Sequence, residues 1–423
     1  MINFFAHQIQ ALELTKNCNK VAYFHDMGLG KTFTGAEKMV RLGAKMNLLI
    51  CQKSKIQDWI NHFKEHYPEI VVWNLTNKKE FDNFELFSIE GYIHVAIINY
   101  ELAWRRKELL DLHNFTLMLD ESSLIQNRKA KQTKFILKLQ PSNVILLSGT
   151  PTAGKYENLW TQAHLLGWNI SERLFQNQYV NYKKMKLFNG QYINVVDKGN
   201  PYKNVERLKE KFRKHGAVFL KTEECFDLPE QNFIEIKVSN SKEYRKFMKD
   251  SIVQVADCEL VGDTNLTKRI YARQLCGIYS KDKLSSFRDL VESTNDRLIV
   301  FYNFTEELNK MESVLPLDRP YDIINGRMKT LNAYENHSDA VVFVQYQAGA
   351  MGLNLQKANK IVYFSPPERC ELWMQSQKRI HRIGQKKPCY YYKLICKNSV
   401  EEQIYRALER GVDFTDELFR KGA

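Results

Sequence analysis

The chain has 423 residues, of which 44% are hydrophobic and 26% charged, and its 62 Lys and Arg outnumber 49 Asp and Glu to give a net charge of +13. This length exceeds what one ordinary hydrophobic core holds, so the sequence predicts two or three folding units rather than a small single-domain protein. The basic excess favours a polyanionic partner, nucleic acid before a membrane surface, although a basic protein without such a partner has the same balance.

Eight cysteines are scattered along the chain without any Cys-x-x-Cys pair or zinc-like Cys/His spacing, so no structural zinc is expected. They are typical of reduced thiols in a reducing compartment. The first residues lack the basic start and apolar stretch of a signal peptide, and no apolar run approaches the ~20 residues that span a bilayer. We therefore expect an intracellular, soluble protein of the cytoplasm or nucleoid, with no membrane partner and a monomeric core.

Short apolar runs recur along the chain, each followed by a helix-compatible stretch, which is typical of an α/β fold with parallel sheets. The predicted strands are residues 21–24, 47–51, 94–98, 116–119, 143–147, 297–301, 340–344 and 360–364. Two stretches, about 160–215 and about 241–290, lack such runs and are predicted to be largely helical insertions. We expect two parallel-sheet lobes, 1–228 and 229–423, each carrying one insertion.

A glycine-rich loop separates the first predicted strand from a helix predicted over 32–42. Its glycines tolerate the positive φ of a tight loop whose N–H groups converge on phosphate, and the helix N-terminus adds further free N–H groups. Lys31 would contact the β- and γ-phosphates of ATP, and the Thr32 hydroxyl would ligate Mg²⁺. The predicted ATP contacts in this segment are His25, Asp26, Met27, Gly28, Leu29, Gly30, Lys31 and Thr32, with His25 in place of the first glycine of the usual pattern.

Two adjacent carboxylates, Asp120 and Glu121, follow the predicted strand 116–119. Asp120 can bind Mg²⁺ directly or through water, while Glu121 can orient and deprotonate the attacking water. An isolated Asp-Glu after a strand is usually part of a solvated loop, but the phosphate loop upstream favours catalysis. Residues 148–151 (Ser-Gly-Thr-Pro) follow a third strand, where they could sense the γ-phosphate.

Near the end of the chain, Arg379 and Arg382 lie three positions apart, on one face if the segment is helical. Two such guanidiniums can clamp a triphosphate and act as arginine fingers. The alternative is a basic helical face that is exposed to solvent or touches a nucleic-acid backbone. Gly352, in a glycine-containing loop after the strand 340–344, and Gln375 complete the predicted ATP contacts.

These segments resemble, in order and over nearly the whole length, the motifs of the Swi/Snf-like translocases of helicase superfamily two. The matching segments are residues 5–8, 26–32, 51–54 with Trp59, 99–101, 120–127, 147–151, 301–305, 325–326, 347–355 and 381–385. The last of them, His-Arg-Ile-Gly-Gln, is close to diagnostic. The resemblance implies two RecA-like lobes that use ATP and Mg²⁺ to step along duplex DNA without separating its strands, with Gln8 contacting the adenine.

The resemblance also implies nucleic-acid contacts, which we assign to Lys53, Ser54, Asn99, Tyr100 and Asn127. Double-stranded DNA is therefore the predicted partner, and a DNA-bound protein is the predicted object of displacement. One departure concerns residues 120–123, which read Asp-Glu-Ser-Ser where the family has Asp-Glu-Ala-His. The missing His helps couple hydrolysis to DNA contact, so the departure bears on coupling more than on catalysis.

Two other functions stay open at this point. The first is a strand-separating helicase acting on DNA or RNA, whose core motifs would overlap heavily. The second is a nucleic-acid-binding scaffold with an impaired ATPase site, against which the retention of Lys31, both carboxylates and both arginines argues.

Overall fold

The computed structural model describes residues 2–86, 91–187, 189–255, 258–349 and 353–419. The chain divides into two compact units, with the boundary between Cys225 and Phe226, and Val412 is the last residue of the second unit. Each unit is built around its own parallel sheet, so the predicted fold of two α/β lobes is confirmed.

The first unit contains strands β1 to β9: Lys20–His25, Met46–Cys51, Ile70–Asn74, Ile93–Asn99, Phe115–Asp120, Asn143–Leu147, Tyr182–Lys186, Tyr192–Val196 and Ala217–Leu220. Seven of these form a sheet in the order β3-β4-β2-β5-β6-β1-β9, in which every hydrogen-bonded pair is parallel. Its helices α1 to α9 are Ala6–Leu14, Lys31–Leu42, Ile56–His66, Lys78–Leu86, Tyr100–Ala103, Lys131–Ile136, Trp160–Leu165, Glu172–Tyr179 and Val205–Lys214.

Both faces of this sheet are covered, which explains the continuous apolar runs. Ala22 and Phe24 pack into the core cluster on one face, while Val21 and Tyr23 pack into the cluster on the other. Successive side chains of a strand point to opposite faces, so a strand that is covered on both faces is mostly apolar along its length. The sheet therefore holds the loops at its carboxyl edge on a rigid base.

The second unit contains strands β10 to β17: Gln231–Val238, Ile252–Val255, Cys258–Val261, Leu298–Tyr302, Tyr321–Ile324, Val341–Gln345, Lys360–Tyr363 and Cys389–Cys396. Its parallel sheet has the order β10-β17-β16-β13-β15-β14. The helices α10 to α17 are Lys242–Asp250, Asn265–Ile278, Lys281–Glu292, Thr305–Glu312, Asn332–Asn336, Tyr346–Gly349, Cys370–Gln377 and Val400–Phe419, the last of which extends beyond the end of this unit at Val412.

Each of the two regions predicted as largely helical insertions contains helices together with one hairpin of strands. The first contains an antiparallel hairpin of β7 and β8, and the second a hairpin of β11 and β12. Short runs that mix lysine with Tyr, Met and Ile suit an exposed ribbon as well as a helix, so periodicity does not separate the two. In the described part of the chain, no helix combines the length and apolar character needed to cross a bilayer.

Candidate active site

The predicted phosphate loop connects β1 to α2. Gly28 and Gly30 have φ angles of 90° and 69°, which are left-handed values that favour glycine. A Cβ added to Gly30 would also lie 2.3 Å from Gln8 Nε2, so the position has no room for a side chain. Helix α2 begins at Lys31, and the free N–H groups of its first turn therefore belong to this loop.

The Lys31 ammonium lies where the carboxyl ends of two strands meet. Its Nζ donates to the carbonyl oxygens of His25 at 2.9 Å and Asp26 at 3.3 Å. A Cβ added to Gly149, which follows β6, would lie 3.4 Å from the same Nζ. A cation at this meeting point can neutralise phosphate oxygens, and Thr32 stands next to it, half-buried.

Helix α1 holds the loop through the side chain of Gln8. The amide Nε2 donates to Leu29 O at 3.4 Å and Gly30 O at 3.2 Å, while Oε1 accepts from the N–H of Phe5 at 2.8 Å. Gln8 is therefore placed beside the predicted phosphate site, and its amide supports the loop backbone.

Asp26 fastens the other side of the loop. Its Oδ1 accepts from Met27 N at 2.8 Å, and its Oδ2 accepts from Thr222 Oγ1 at 2.8 Å. Thr222 is buried and lies after β9, almost two hundred residues from the loop along the chain. Sequence reasoning missed Thr222, since no local pattern links it to the loop.

The His25 side chain is buried in the protein. The ring is fully buried, and neither ring nitrogen has a hydrogen-bond partner among the described residues. Burial first, and then the positive charge of Lys31, lowers the pKa of His25 to about 3. The hydrogen bond from Lys31 to His25 uses the backbone carbonyl, which any residue type supplies, so a glycine is not required there.

We expect the variant His25→Leu to flatten the dependence of stability on pH. The unfolded chain protonates this histidine below about pH 6.5, whereas the folded protein leaves it neutral down to about pH 3. The wild type should therefore lose unfolding free energy as pH falls through that window, and His25→Leu should lose less. Urea unfolding at several pH values measures this, with the exposed His113→Leu as control; parallel curves for wild type and both variants would contradict the burial argument.

The acidic pair lies at the end of β5. Asp120 Oδ2 accepts a hydrogen bond of 2.9 Å from Trp59 Nε1. Burial raises the pKa of Asp120, while the Trp59 bond and the nearby Lys31 charge oppose that rise. Glu121 has a φ of 54°, a left-handed value that costs a non-glycine residue about 1–3 kcal/mol and is concentrated at functional sites.

Tyr100 and Asn99 are placed differently from the nucleic-acid prediction. Tyr100 is 1% exposed, and its hydroxyl donates to the Asp120 carbonyl at 2.8 Å. Asn99 is also buried, with Nδ2 donating to Glu101 Oε2 at 2.6 Å. Tyr100 therefore supports the backbone of the acidic pair, and neither buried side chain is part of an exposed binding surface.

Three of the predicted nucleic-acid residues are exposed. Lys53 and Ser54 lie in the short 3-10 turn before α3, and Asn127 follows the turn after the acidic pair. Helix α3 carries Trp59, so one short element joins the exposed turn to the Asp120 carboxylate. This arrangement can transmit a contact on the surface to the acidic pair.

We expect Trp59→Phe to reduce ATP hydrolysis about 10- to 100-fold and to raise the Mg²⁺ concentration needed for half-maximal activity. The substitution keeps an aromatic ring but removes the N–H that orients Asp120, and outer-shell donors of this kind typically carry that much metal affinity or activity. Trp73→Phe is the matched control, since its indole N–H donates to His94 away from the loop. Equal Mg²⁺ titration curves for both variants would contradict the assignment.

The segment that replaces Asp-Glu-Ala-His is tied to residues 148–151 by a side chain that the sequence did not reveal. Ser122 Oγ donates to Gln162 Oε1 at 2.9 Å, and Gln162 Nε2 donates to Pro151 O at 2.7 Å. Ser122 and Gln162 are fully buried. A displacement of either motif is thus transmitted to the other through one amide.

In the second unit, Arg379 and Arg382 do not lie on a helix face, because α16 ends at Gln377 and both arginines follow in a turn. Arg379 is buried, and the Arg382 guanidinium bonds the side-chain oxygen of Asn354. The turn is held by Gln385, whose Nε2 reaches the carbonyl oxygens of three residues, at positions 356, 358 and 380.

The other two predicted ATP contacts of this unit have different outcomes. Gln375 is buried within α16, where its Nε2 lies 3.4 Å from Glu371 Oε1, so its amide is turned into the protein. Gly352 lies outside the described residues, and its prediction stays a prediction.

The donor set of the first unit fits a magnesium ion. Thr32 offers a hydroxyl oxygen and Asp120 a carboxylate oxygen, which are the hard ligands that Mg²⁺ prefers. Burial raises the pKa of Asp120, and a divalent cation beside such a carboxyl stabilises its charged form.

Comparison with known families decides the class of the protein. The family model of the SNF2-related domain matches residues 7–284, which are 278 of the 423 residues of the chain. The chain belongs to the SNF2-related family. Residues 282–384 of this SNF2-related chain match the helicase conserved C-terminal domain, so the prediction of an ATP-dependent enzyme of the helicase class is confirmed at the level of the family.

The SNF2-related chain is similar to much longer proteins. The mouse SWI/SNF-related matrix-associated actin-dependent regulator of chromatin subfamily A member 1 is 24% identical, over 91% of this chain and 40% of the relative. The putative ATP-dependent helicase/translocase YwqA of Bacillus subtilis is 21% identical, over 93% and 46%. The chain therefore spans less than half the length of these two relatives. A Sulfolobus solfataricus SWI2/SNF2 ATPase core solved with dsDNA gives a TM-score of 0.46 at 16% identity, covering 100% of this chain and 98% of that one.

Proposed function

We propose that the chain hydrolyses ATP and uses the energy to move along double-stranded DNA without separating its strands. One observation carries the ATPase half of this proposal. The Lys31 ammonium lies against the ends of β1 and β6, and its charge acts on Asp120 at the end of β5. Ligands of parallel α/β sheets bind at this carboxyl edge, and a phosphate loop, a cation and a buried carboxylate gathered there suit a nucleoside triphosphate.

Each group of this edge has its own task in the proposal. Phosphate oxygens take the place of the His25 and Asp26 carbonyls as acceptors for Lys31, and the N–H groups of the loop bind the same oxygens. Mg²⁺ held by Thr32 and Asp120 supplies charge neutralisation. Glu121, fixed in its left-handed backbone, accepts the proton of the attacking water.

The two arginines of the second unit are assigned to the stabilisation of charge on the transferred phosphoryl group. The Arg382 guanidinium is held by its bond to Asn354 and is therefore positioned before phosphate arrives, and Arg379 lies buried in the same turn. Such positioned donors stabilise the charge that develops on the transferred phosphoryl group.

Duplex DNA is the proposed track. The net charge of +13 favours a polyanion, and Lys53, Ser54 and Asn127 are exposed beside the elements that hold the acidic pair. The names of the mouse and Bacillus relatives, a regulator of chromatin and a helicase/translocase, support a DNA motor in this family. A DNA-bound protein is then the proposed obstacle that the motor displaces.

Displacement of a third strand from a DNA triplex tests movement along a duplex. We expect ATP-dependent release of the third strand, with no release by Lys31→Ala and no separation of a forked duplex of equal length. Separation of the forked duplex without triplex release would support the strand-separating helicase instead, a function that the match to the helicase C-terminal domain also allows.

A further inference from the structure

The hairpin of β7 and β8 stands apart from both large sheets. Its two strands pair only with each other in the described part of the chain, and every residue of β7 is exposed. Tyr192 is 64% exposed and Met185 45%, although side chains of this type are usually buried. An exposed ribbon with large side chains on its surface is typical of a contact element.

The strand register places the lysines of the hairpin on two different faces. Lys186 pairs directly with Tyr192, and Lys184 with Asn194, so these four side chains share one face. Lys183 points to the other face, where its Nζ lies 3.3 Å from Asp197 Oδ1. Lys184 and Lys186 make no ion pair with the described residues, and the first face is therefore both basic and aromatic.

The base of the hairpin adjoins the turn that follows the acidic pair. Tyr182 Oη donates to Gln176 Oε1 at 3.3 Å. Gln176 lines a groove of about 370 Å³ together with Asn127, Arg128 and Lys129. The hairpin thus begins beside the exposed Asn127 that the sequence already assigned to nucleic acid.

We propose that the β7–β8 hairpin is a second duplex-contacting element, in which Lys184 and Lys186 bind DNA phosphates and Tyr192 packs against the sugar edge. The inference rests on the proposed function and adds a binding surface to it. Residues 182–203 contain five lysines and one aspartate, which favours a phosphate backbone over a protein partner of mixed charge. A two-stranded ribbon also has the width that the major groove of B-DNA admits.

The test compares two double variants, Lys184→Gln/Lys186→Gln in the hairpin and Lys78→Gln/Lys79→Gln as the control. Lys78 and Lys79 are exposed and begin α4, which follows the edge strand β3 of the seven-stranded sheet. Binding of a fluorescent duplex is measured by anisotropy over a range of salt concentrations, with thermal unfolding to confirm the fold of both variants. We expect the hairpin variant to bind about 10-fold more weakly and to lower the slope of log K against log salt by about 1.8, since each lost phosphate contact removes ~0.9. Lys184→Arg/Lys186→Arg should restore both values.

Three results are distinguishable. Weaker binding and a smaller slope for the glutamine variant of the hairpin alone would support the inference. Identical binding by the hairpin variant, the control variant and the wild type would overturn it while leaving the proposed function intact. Failure of the wild type to bind any duplex would overturn the proposed function, and this inference with it.

Discussion

Replacing Lys31 with alanine is expected to lower ATP turnover by about 100- to 1,000-fold, the typical loss for one positioned donor of a transition-state site. The ammonium lies 2.9 Å from the His25 carbonyl, at the carboxyl edge of the sheet, and α2 holds its backbone. Alanine removes the charge without disturbing the helix, because it has the highest helix propensity. The loss should therefore appear in hydrolysis and ATP binding while the melting temperature stays the same.

Two further variants make the test of Lys31 specific. Lys45→Ala removes an exposed lysine just before β2 and should leave turnover unchanged. Glu121→Gln should lose hydrolysis but retain ATP binding, since it removes the proposed base and keeps the phosphate contacts. Wild-type turnover in Lys31→Ala, at equal melting temperature, would refute the assignment of the phosphate loop.

Lys283→Met is expected to destabilise the second unit by about 3–5 kcal/mol, the usual cost of leaving one half of a buried ion pair alone. Lys283 Nζ lies 2.6 Å from Glu401 Oε1, and the two side chains are 0% and 1% exposed. Glu401 Oε2 also accepts from Cys396 N at 3.0 Å, so the pair joins α12, β17 and α17. Burial is the largest influence and opposes the charge on Lys283, but Glu401 together with Cys396 and Cys276 more than offsets it and raises the pKa of Lys283.

Urea unfolding measures this loss against a matched surface variant. Lys357→Met breaks an ion pair with Glu335 in which both side chains are 51% exposed, and it should cost at most about 1 kcal/mol. Adding Glu401→Gln to Lys283→Met should recover part of the stability, because it removes the unpaired charge and keeps an acceptor for Cys396 N. Equal losses for Lys283→Met and Lys357→Met would contradict the argument.

Eight parallel strands were predictable because burial on both faces favours a mostly apolar run, and each predicted strand overlaps an observed one. Strands without that burial escaped prediction, and so did the mostly buried β17. All but the first residue of β3 are only half-buried, and β10 is half exposed along its length. Partial burial admits polar residues, which weakens the periodicity on which sequence analysis depends.

The candidate site divides in the same way. The positions of the loop from Asp26 to Thr32, between a strand and a helix, and of Asp120 and Glu121, at a strand end, were predictable from the sequence. The contacts that orient them were not, because Trp59 is 61 residues from Asp120 and Thr222 is 196 residues from Asp26. Such pairs are defined by tertiary packing alone.

Burial also decides whether a side chain within a motif can contact a ligand or instead packs inside the protein. His25, Asn99 and Tyr100 stand inside motifs that suggest ligand contact, yet all three side chains are buried in the protein. A motif indicates which residues lie at a strand end, but the elements that pack over that strand end decide which of their side chains are buried.

Duplex DNA should stimulate ATP hydrolysis if the proposed function is right, and steady-state hydrolysis tests it most directly. The rate should be compared at fixed protein concentration without nucleic acid and with duplex DNA, single-stranded DNA and duplex RNA, using Lys31→Ala as the blank. The account predicts that duplex DNA gives the largest stimulation and that the blank shows none. Equal or greater stimulation by single-stranded DNA or RNA, or no hydrolysis under any of these conditions, would contradict it.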